Sequence, residues 1–216
     1  MKTLDELQLS PLVAVVDIET LSTRHDAAIV SIGCVIVNLF TQETVDEFYR
    51  VTDTYYQGIY NRDFMPSTIR WWDEQKETNP EAWQEYEKAN AIRESGQFED
   101  VLLEFDEFLS KNFDDPAKIQ LMGNGCDFDN VILQTAFKKF LFTPSWPFSG
   151  NQSLRTAVWL GRLILGIDPK YDIPFEGTKH HALHDARHEA KVLLNIFHAF
   201  LNLLPAESVR YQGALA

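Results

Sequence analysis

Five residues from distant parts of the chain carry the side chains that metal-assisted hydrolysis requires. Asp17 and Glu19 end the apolar run VAVVDIET, Asp129 lies in NGCDFDN, and His180 and Asp185 lie in HHALHDA. Four carboxylates brought together would repel one another unless cations lay between them. Such oxygen ligands favour Mg²⁺ or Mn²⁺, and two of these ions can clamp the in-line displacement of a phosphoryl group. A histidine can accept a proton from water at neutral pH.

The segments that carry these residues predict how the side chains are placed. The run before Asp17 has the pattern of a buried strand, and in a strand Asp17 and Glu19 point to one face of the sheet. Asp185 opens the last long amphipathic pattern, and His180 precedes it in a loop. Two like charges at a polar strand end, with nothing positive between them, would cost free energy. This pair alone leaves both interpretations open, and together with the other motifs metal binding is favoured.

In these motifs the chain resembles the DEDD-type 3′→5′ exonucleases, in the proofreading-exonuclease-like subgroup whose last motif contains histidine (DEDDh). DIET at 17–20 matches the first motif, D-x-E-T, and HHALHDA at 180–186 matches the third, H-x-A-x-x-D-A. NGCDFD at 124–129 matches the second, with one more residue before Phe-Asp than proofreading exonucleases have. The resemblance runs from about 12 to about 200. RWW at 70–72 points to the branch with phage exodeoxyribonucleases and bacterial exoribonucleases.

The resemblance implies roles for individual residues. His180 would be the general base, and two divalent cations, Mg²⁺ or Mn²⁺, would be held by Asp17, Glu19, Asp129 and Asp185. Because the acid of the second motif follows Phe directly, Asp129 is assigned to the metal and Asp127 to capping the next helix. Leu21 would wedge against the terminal base, and Arg155 would either touch a phosphate or fix its helix to the sheet. The implied substrate-binding set is Thr20, Leu21, Asn124, Phe128 and Arg155.

The reaction implied is hydrolysis of the terminal phosphodiester at a single-stranded 3′ end of DNA or RNA, which releases nucleoside 5′-monophosphates. The choice between DNA and RNA depends on contacts to the 2′-OH, and no residue can be assigned to that role. The implied fold is α/β and ribonuclease-H-like. Because dimers are common among such exonucleases, a homodimer is among the expected forms.

Composition bounds the class of protein. The chain has 216 residues, 45% of them hydrophobic, and two cysteines, which predicts one soluble domain over 1–216 in a reducing cytoplasm. No signal peptide or membrane span is predicted. The net charge of −13 has the wrong sign for a protein that grips phosphates. However, residues 73–107 alone hold 12 acidic and 3 basic residues. Most of the acidity is therefore assigned to one solvated segment and to the site itself.

Hydrophobic periodicity predicts three antiparallel strands followed by alternating helix and strand, with helices on the flanks. Pro66 and Pro80 stand at expected first-turn positions of helices. The segment 66–112 is interpreted as an acidic helical insertion. The predicted strands are 12–18, 28–39, 45–52, 118–124 and a short one near 146–148, and the predicted helices are 67–76, 80–93, 98–112, 128–140, 153–165 and 185–203.

Two alternatives use the histidines differently. His184-Asp185 is typical of HD-type phosphohydrolases, and His184 with His188 imitates a zincin helix. HD-type proteins are all-helical, however, and neither alternative explains Asp17, Glu19 and Asp129. A third alternative is a catalytically silent module that binds nucleic-acid ends. His181, His184 and His188 are otherwise expected to be surface or packing residues, and the tryptophans at 71, 72 and 83 are expected in the core rather than stacked on bases.

Overall fold

The computed structural model describes residues 3–204, built around a five-stranded mixed sheet in the order β3-β2-β1-β4-β5. β1, β2 and β3 form an antiparallel meander, whereas β4 pairs parallel to β1 and β5 pairs parallel to β4. The predicted α/β, ribonuclease-H-like architecture is confirmed. The strands are β1 Leu12–Thr20, β2 Ile29–Asn38, β3 Thr44–Val51, β4 Leu121–Gly123 and β5 Asn151–Ser153.

Helices flank the sheet, and two of them begin with the prolines that the sequence indicated. Pro66 and Pro80 are the first residues of α2 and α3. The two short helices, α1 and α7, were not predicted. The helices are α1 Thr54–Ile59, α2 Pro66–Thr78, α3 Pro80–Ala91, α4 Gln97–Asn112, α5 Asp129–Lys139, α6 Leu154–Leu160, α7 Pro169–Asp172 and α8 Ala182–Leu201.

Two predicted elements are wrong in detail. The strand expected near 146–148 is absent, because Trp146 is buried in the core while Phe148 begins a short 3₁₀ turn. The strand at that edge, β5, follows at Asn151–Ser153. The helix expected over 153–165 is α-helical only to Leu160 and continues as a π-helical turn over Gly161–Leu165.

Alternation along β1 divides the core into two layers. Ala14, Val16 and Ile18 pack with α4 and α5 on one face of the sheet. Val13 and Val15 pack with α6 and α8 on the other. Since side chains of a strand alternate between faces, Asp17 and Glu19 continue the row of Val13 and Val15. The strand pattern alone therefore turns both acids toward α8.

The helices α2 and α3 build a third cluster beyond the end of β1. Trp72 is fully buried there beside Leu21, Ala28 and Val30. Its indole Nε1 donates a hydrogen bond of 2.9 Å to the carbonyl oxygen of Thr20. The prediction that this tryptophan is a core residue is confirmed. This hydrogen bond fixes the segment 66–112 to β1, the strand that carries the first motif.

Some expectations concern the chain as a whole. A single domain over 1–216 with an insertion at 66–112 stays a prediction, and residues 1–2 and 205–216 lie outside the described part. Within residues 3–204, no helix is long and apolar enough to cross a membrane. Cys34 and Cys126 are both free thiols.

Candidate active site

Close packing of α8 against the sheet brings Asp185 to Asp17 and Glu19. Asp17 pairs in register with Gly33 of β2, and the start of α8 rests on this glycine. A Cβ atom at Gly33 would lie 2.2 Å from the carbonyl carbon of Ala182, so only glycine admits the helix. One ligand oxygen from each of Asp17, Glu19 and Asp185 lies within 4.8 Å of the others.

Asp129 comes to the same place from α5. It is the first residue of that helix and has only 3% of its surface exposed. A second glycine makes room for it, because a Cβ at Gly123 would lie 2.7 Å from the Asp129 Oδ2 atom. Asp129 lies next to the compact trio of Asp17, Glu19 and Asp185 rather than within it. The four predicted carboxylates are thus brought together by β1, α5 and α8.

A fifth carboxylate, Glu189, was missed by the sequence reasoning. It lies one helical turn after Asp185 on α8 and has 7% of its surface exposed. Its Oε2 atom is buried without a hydrogen-bond partner. The spacing of four residues from Asp185 was the available signal, since it places both side chains on one face of a helix.

The cluster has strongly perturbed electrostatics. Burial, followed by the charges of Glu189 and the other acids, raises the pKa of Asp17 well above its ordinary value. Burial and Asp185 do the same to the pKa of Glu19. Burial raises the pKa of Asp129 to about 7, although backbone N–H groups partly oppose the shift. Burial also raises the pKa of Asp185 to about 6.

These features fit a site for divalent cations. Burying several carboxylates without compensation is costly, and the Oδ2 atom of Asp17 has no hydrogen-bond partner. Cations placed among the oxygens would lower these pKa values and satisfy the unpaired atoms. The donors are all carboxylate oxygens, which suits Mg²⁺ or Mn²⁺ rather than zinc.

His180 lies at the edge of the cluster, where a general base is expected. Its Nδ1 atom is 3.8 Å from a Glu19 carboxylate oxygen, and 45% of its side chain is exposed. Burial, with a smaller contribution from Lys179, lowers the pKa of His180. The ring is therefore neutral at pH 7 and can accept a proton. Its edge also contacts Trp71, with ring centroids 4.8 Å apart.

The other histidines do not form a metal site within the described residues. His184 Nδ1 accepts a hydrogen bond of 3.0 Å from the Thr178 backbone N–H, and its ring stacks on His181. His188 packs against Phe175. The expected packing roles are confirmed. The five-stranded sheet also differs from the all-helical architecture of HD-type phosphohydrolases.

The residues implied to bind substrate occupy several environments. Thr20 and Leu21 are buried, with Leu21 1% exposed in the third cluster. Phe128 packs partly against the core, and Asn124 lines a pocket beside the acids. Arg155 is largely exposed. Their roles toward a nucleic acid stay predictions.

The capping role assigned to Asp127 is wrong. Phe128 is the N-cap of α5, and no side chain caps that helix. Asp127 is largely exposed and instead faces Arg155, with 3.7 Å between its Oδ1 and the guanidinium Nη1. The residue that follows Phe128, Asp129, occupies the first turn of the helix.

A pocket of about 410 Å³ opens beside Asp185 and Glu189. It combines the features of a site for a nucleotide chain: two cationic side chains, exposed aromatic surface and an edge of carboxylates. Lys170 and Lys179 supply positive charge at the pocket, although the net charge of the chain is negative. Among its lining residues are Asn124, Lys170, Tyr171, Phe175, Lys179 and His180.

Comparison with family models identifies the chain. Residues 13–197 match the model of the Rv2179c-like 3′–5′ exoribonuclease domain. This range of the chain contains all three motifs. The chain belongs to this family. The Rv2179c-like domain is a 3′→5′ exonuclease, and therefore a hydrolase. A comparison with the sequences of curated proteins gives no match.

Solved structures share the fold of this Rv2179c-like domain at low sequence identity. The nuclease domain of 3′hExo, a DEDDh family member bound to rAMP, is 14% identical with a TM-score of 0.60, over 87% of this chain and 92% of that one. Cell-death related nuclease 4 (CRN-4) is 13% identical with a TM-score of 0.63, over 87% and 64%. Exonuclease I from Methylocaldum szegediense is 14% identical with a TM-score of 0.60, over 88% and 43%.

Proposed function

We propose that the protein is a metal-dependent 3′→5′ exoribonuclease that removes nucleoside 5′-monophosphates from single-stranded 3′ ends. The observation that carries the proposal is the half-buried trio of Asp17, Glu19 and Asp185, one oxygen of each lying within 4.8 Å of the others. Such a group is costly without cations and is suited to phosphodiester hydrolysis with them.

Two divalent cations, Mg²⁺ or Mn²⁺, are proposed as the cofactors. Asp17, Glu19, Asp129 and Asp185 would hold them, because these carboxylates converge from β1, α5 and α8. When bound, the cations would supply charge neutralisation at the scissile phosphate and acidify the attacking water. The carboxylates would fix the positions of the cations.

His180 is proposed to take the proton from the attacking water. The lowered pKa of its ring keeps it neutral at physiological pH, and the Glu19 carboxylate beside it can stabilise the imidazolium that forms. After the phosphodiester breaks, the 3′ oxygen of the shortened strand would leave with a proton from solvent.

Substrate contacts are proposed for the five residues that the motifs indicated. Asn124 lines the pocket, and Arg155 is exposed beside it, so both can meet phosphate or sugar. Thr20 and Phe128 would act mainly through the backbone around them. Leu21 could wedge against the terminal base only if that base approached the third cluster, where its side chain is buried.

RNA is proposed as the preferred substrate, and a single assay tests the choice. The choice of RNA is supported by the family, whose members are exoribonucleases, and by the rAMP bound to 3′hExo. By contrast, an E. coli exonuclease I structure holds single-stranded DNA. End-labelled RNA and DNA of one sequence would be incubated with Mg²⁺, Mn²⁺ or EDTA. We expect a ladder of products shortened from the 3′ end, faster on RNA, and none in EDTA. Activity undiminished by EDTA would refute the metal mechanism.

We also propose that the protein forms a homodimer and lies in the cytoplasm. The two free thiols are consistent with a reducing compartment. Light scattering of the purified protein measures the molecular mass in solution, and a mass near 24.9 kDa would refute the dimer.

A further inference from the structure

The loop that carries His180 is attached to the junction between α2 and α3, about one hundred residues away in sequence. Asn79 Nδ2 donates a hydrogen bond of 2.8 Å to the carbonyl oxygen of Lys179. The Thr178 hydroxyl donates to a Glu81 carboxylate oxygen. Both contacts lie directly before His180, and the ring of His180 rests against Trp71 of α2. The segment 66–112 therefore touches both the backbone and the side chain of this part of the loop.

The backbone of His180 needs such support. Its φ angle of 63° lies in the left-handed region, which residues other than glycine rarely adopt and keep only where surrounding contacts impose it. The following residue is held too, because the His181 N–H donates to the Asp185 carboxylate at 3.1 Å. Contacts on both sides of His180 thus fix an unfavourable conformation.

The geometry of the Asn79 contact suits the support of the His180 backbone. The Lys179 carbonyl and the His180 nitrogen belong to one planar peptide unit. A hydrogen bond to that carbonyl therefore orients the peptide plane on the N-terminal side of His180, and the orientation of this plane helps to set φ of His180. Asn79 is also the N-cap of α3, a position where asparagine usually accepts a hydrogen bond from its own helix. Here it makes no such bond, and its amide is directed to the loop instead.

We propose that the α2–α3 junction positions the catalytic base, with Asn79 as the positioning residue. A general base must lie within about 2.6–3.2 Å of the oxygen whose proton it accepts, and a displacement near 1 Å can cost about 10²-fold in rate. The His180 side chain is 45% exposed, so packing around the ring alone leaves it room to turn away. This inference rests on the proposed role of His180 as the base.

The test is a double-mutant cycle between Asn79 and His180, measured with metal-saturated protein on a labelled single-stranded RNA. Asn79→Ala removes the amide, whereas Asn79→Asp keeps its volume and can cap α3 but cannot donate to the carbonyl. Thr78→Ala is the matched control, because the Thr78 hydroxyl bonds within its own helix, to Glu74. Melting temperatures with and without Mg²⁺ check folding and metal binding in each variant.

If the junction acts through the base, both Asn79 variants lower kcat by about 10–100-fold while KM and the Mg²⁺-induced rise in melting temperature change little. Thr78→Ala stays near the parent protein. In a His180→Ala background, Asn79→Ala causes no further loss, because the base it positions is gone.

Two results would overturn the inference. One is an unchanged kcat in Asn79→Asp and Asn79→Ala. The other is an equal loss from Asn79→Ala with and without His180, which would show that Asn79 acts on folding or on substrate binding. Full activity of His180→Ala by itself would be a different failure, since it would refute the base assigned under the proposed function.

Discussion

Two groups of carboxylates give this chain its acidity, and they lie in opposite environments. The site acids, Asp17, Glu19, Asp129, Asp185 and Glu189, are largely buried, and burial is the first cause of the raised pKa of each. The segment acids, the twelve of residues 73–107, are mostly exposed, with Glu85 the one that is buried. Like charges in water cost little, whereas buried like charges must be compensated. Burial together with close clustering therefore distinguishes the site acids from the segment acids.

The comparison also explains why a net charge of −13 does not oppose a nucleic-acid substrate. Solvated acids are screened beyond about 8–10 Å at physiological salt, and the site acids would be neutralised by their cations. Lys170 and Lys179 line the pocket beside the site and supply positive charge there. The distribution of charge predicts the partner better than its sum.

The largest expected effect separates the two groups directly. Asp129→Asn should abolish exonuclease activity, because it removes a metal-binding charge at unchanged volume, whereas Glu77→Gln in the segment should leave activity intact. A labelled RNA ladder measures both. Asp127→Asn is the matched control within the motif, since Asp127 is exposed. An inactive Asp127→Asn with an active Asp129→Asn would show that the second motif is misassigned.

A smaller loss is expected at the base. His180→Ala should lower kcat by about 10²–10⁴-fold, the range for a lost general base, with metal affinity nearly unchanged. The rate of the parent protein should rise with pH through the lowered histidine pKa and then level. Single-turnover rates measure both quantities. His25→Ala, an exposed histidine elsewhere, should match the parent protein, and a pH profile unchanged in His180→Ala would contradict the assignment.

Glu189 tests whether a fifth acid belongs to the site group. Glu189→Gln should weaken Mg²⁺ binding by about 10–100-fold, as loss of a residue near metal ligands does. In EDTA the same variant should melt higher than the parent, because one buried like charge is gone. Calorimetric titration and thermal melts measure the pair of effects. If Mg²⁺ affinity and the melting temperature in EDTA are both unchanged in Glu189→Gln, Glu189 takes no part in the metal site.

The smallest effect expected is on stability as pH changes. The folded protein keeps protons on Asp185 up to about pH 6 and on Asp129 up to about pH 7, while the unfolded chain loses them near pH 4. Stability without metal should therefore be greatest at low pH within this window and fall as pH rises through 6–7. Burial also lowers the pKa of His180 and of His181, and both oppose this slope below the ordinary histidine pKa, but they are two groups against five carboxylates.

Melting temperatures in EDTA at pH 5.5 and pH 8 measure that slope. Mg²⁺ at a hundredfold excess over its Kd should add about 2.7 kcal/mol at the higher pH and flatten the slope. Asp129→Asn should reduce the slope, whereas Glu77→Gln should not. A metal-free protein that is more stable at pH 8 would contradict the direction of these shifts.

Local pattern was enough to predict much of the fold, and the three motifs of the resemblance indicated most of the residues that the fold brings together. The alternation in VAVVDIET gave β1 and the shared face of Asp17 and Glu19, and the long amphipathic run gave α8. The strand expected near 146–148 failed because Trp146 is a core residue in an irregular segment. The strand actually formed, Asn-Gln-Ser, is short and polar and owes its conformation to pairing with β4. Hydrophobic periodicity carries no signal for such a strand.

The parts that escaped prediction depend on contacts between distant segments. Glu189 is one of several charged residues in ARHEAK, and only the packing of α8 on Gly33 shows which of them turns inward. The same holds for Asn79, whose partner is about one hundred residues away. The spacing of four residues from Asp185 is a local signal for Glu189 but not a sufficient one, and no local pattern encodes the contact of Asn79.

The indole of Trp72 has a consequence for how the chain could be shortened. Because it fills the cluster beside Leu21 and bonds to the carbonyl of Thr20, the segment 66–112 is part of the interior that supports the first motif. A minimal nuclease made by excising that segment would expose apolar surface and leave the carbonyl of Thr20, the residue after the last acid of β1, without its indole partner. Redesign of this scaffold must therefore keep the segment as a structural support of β1.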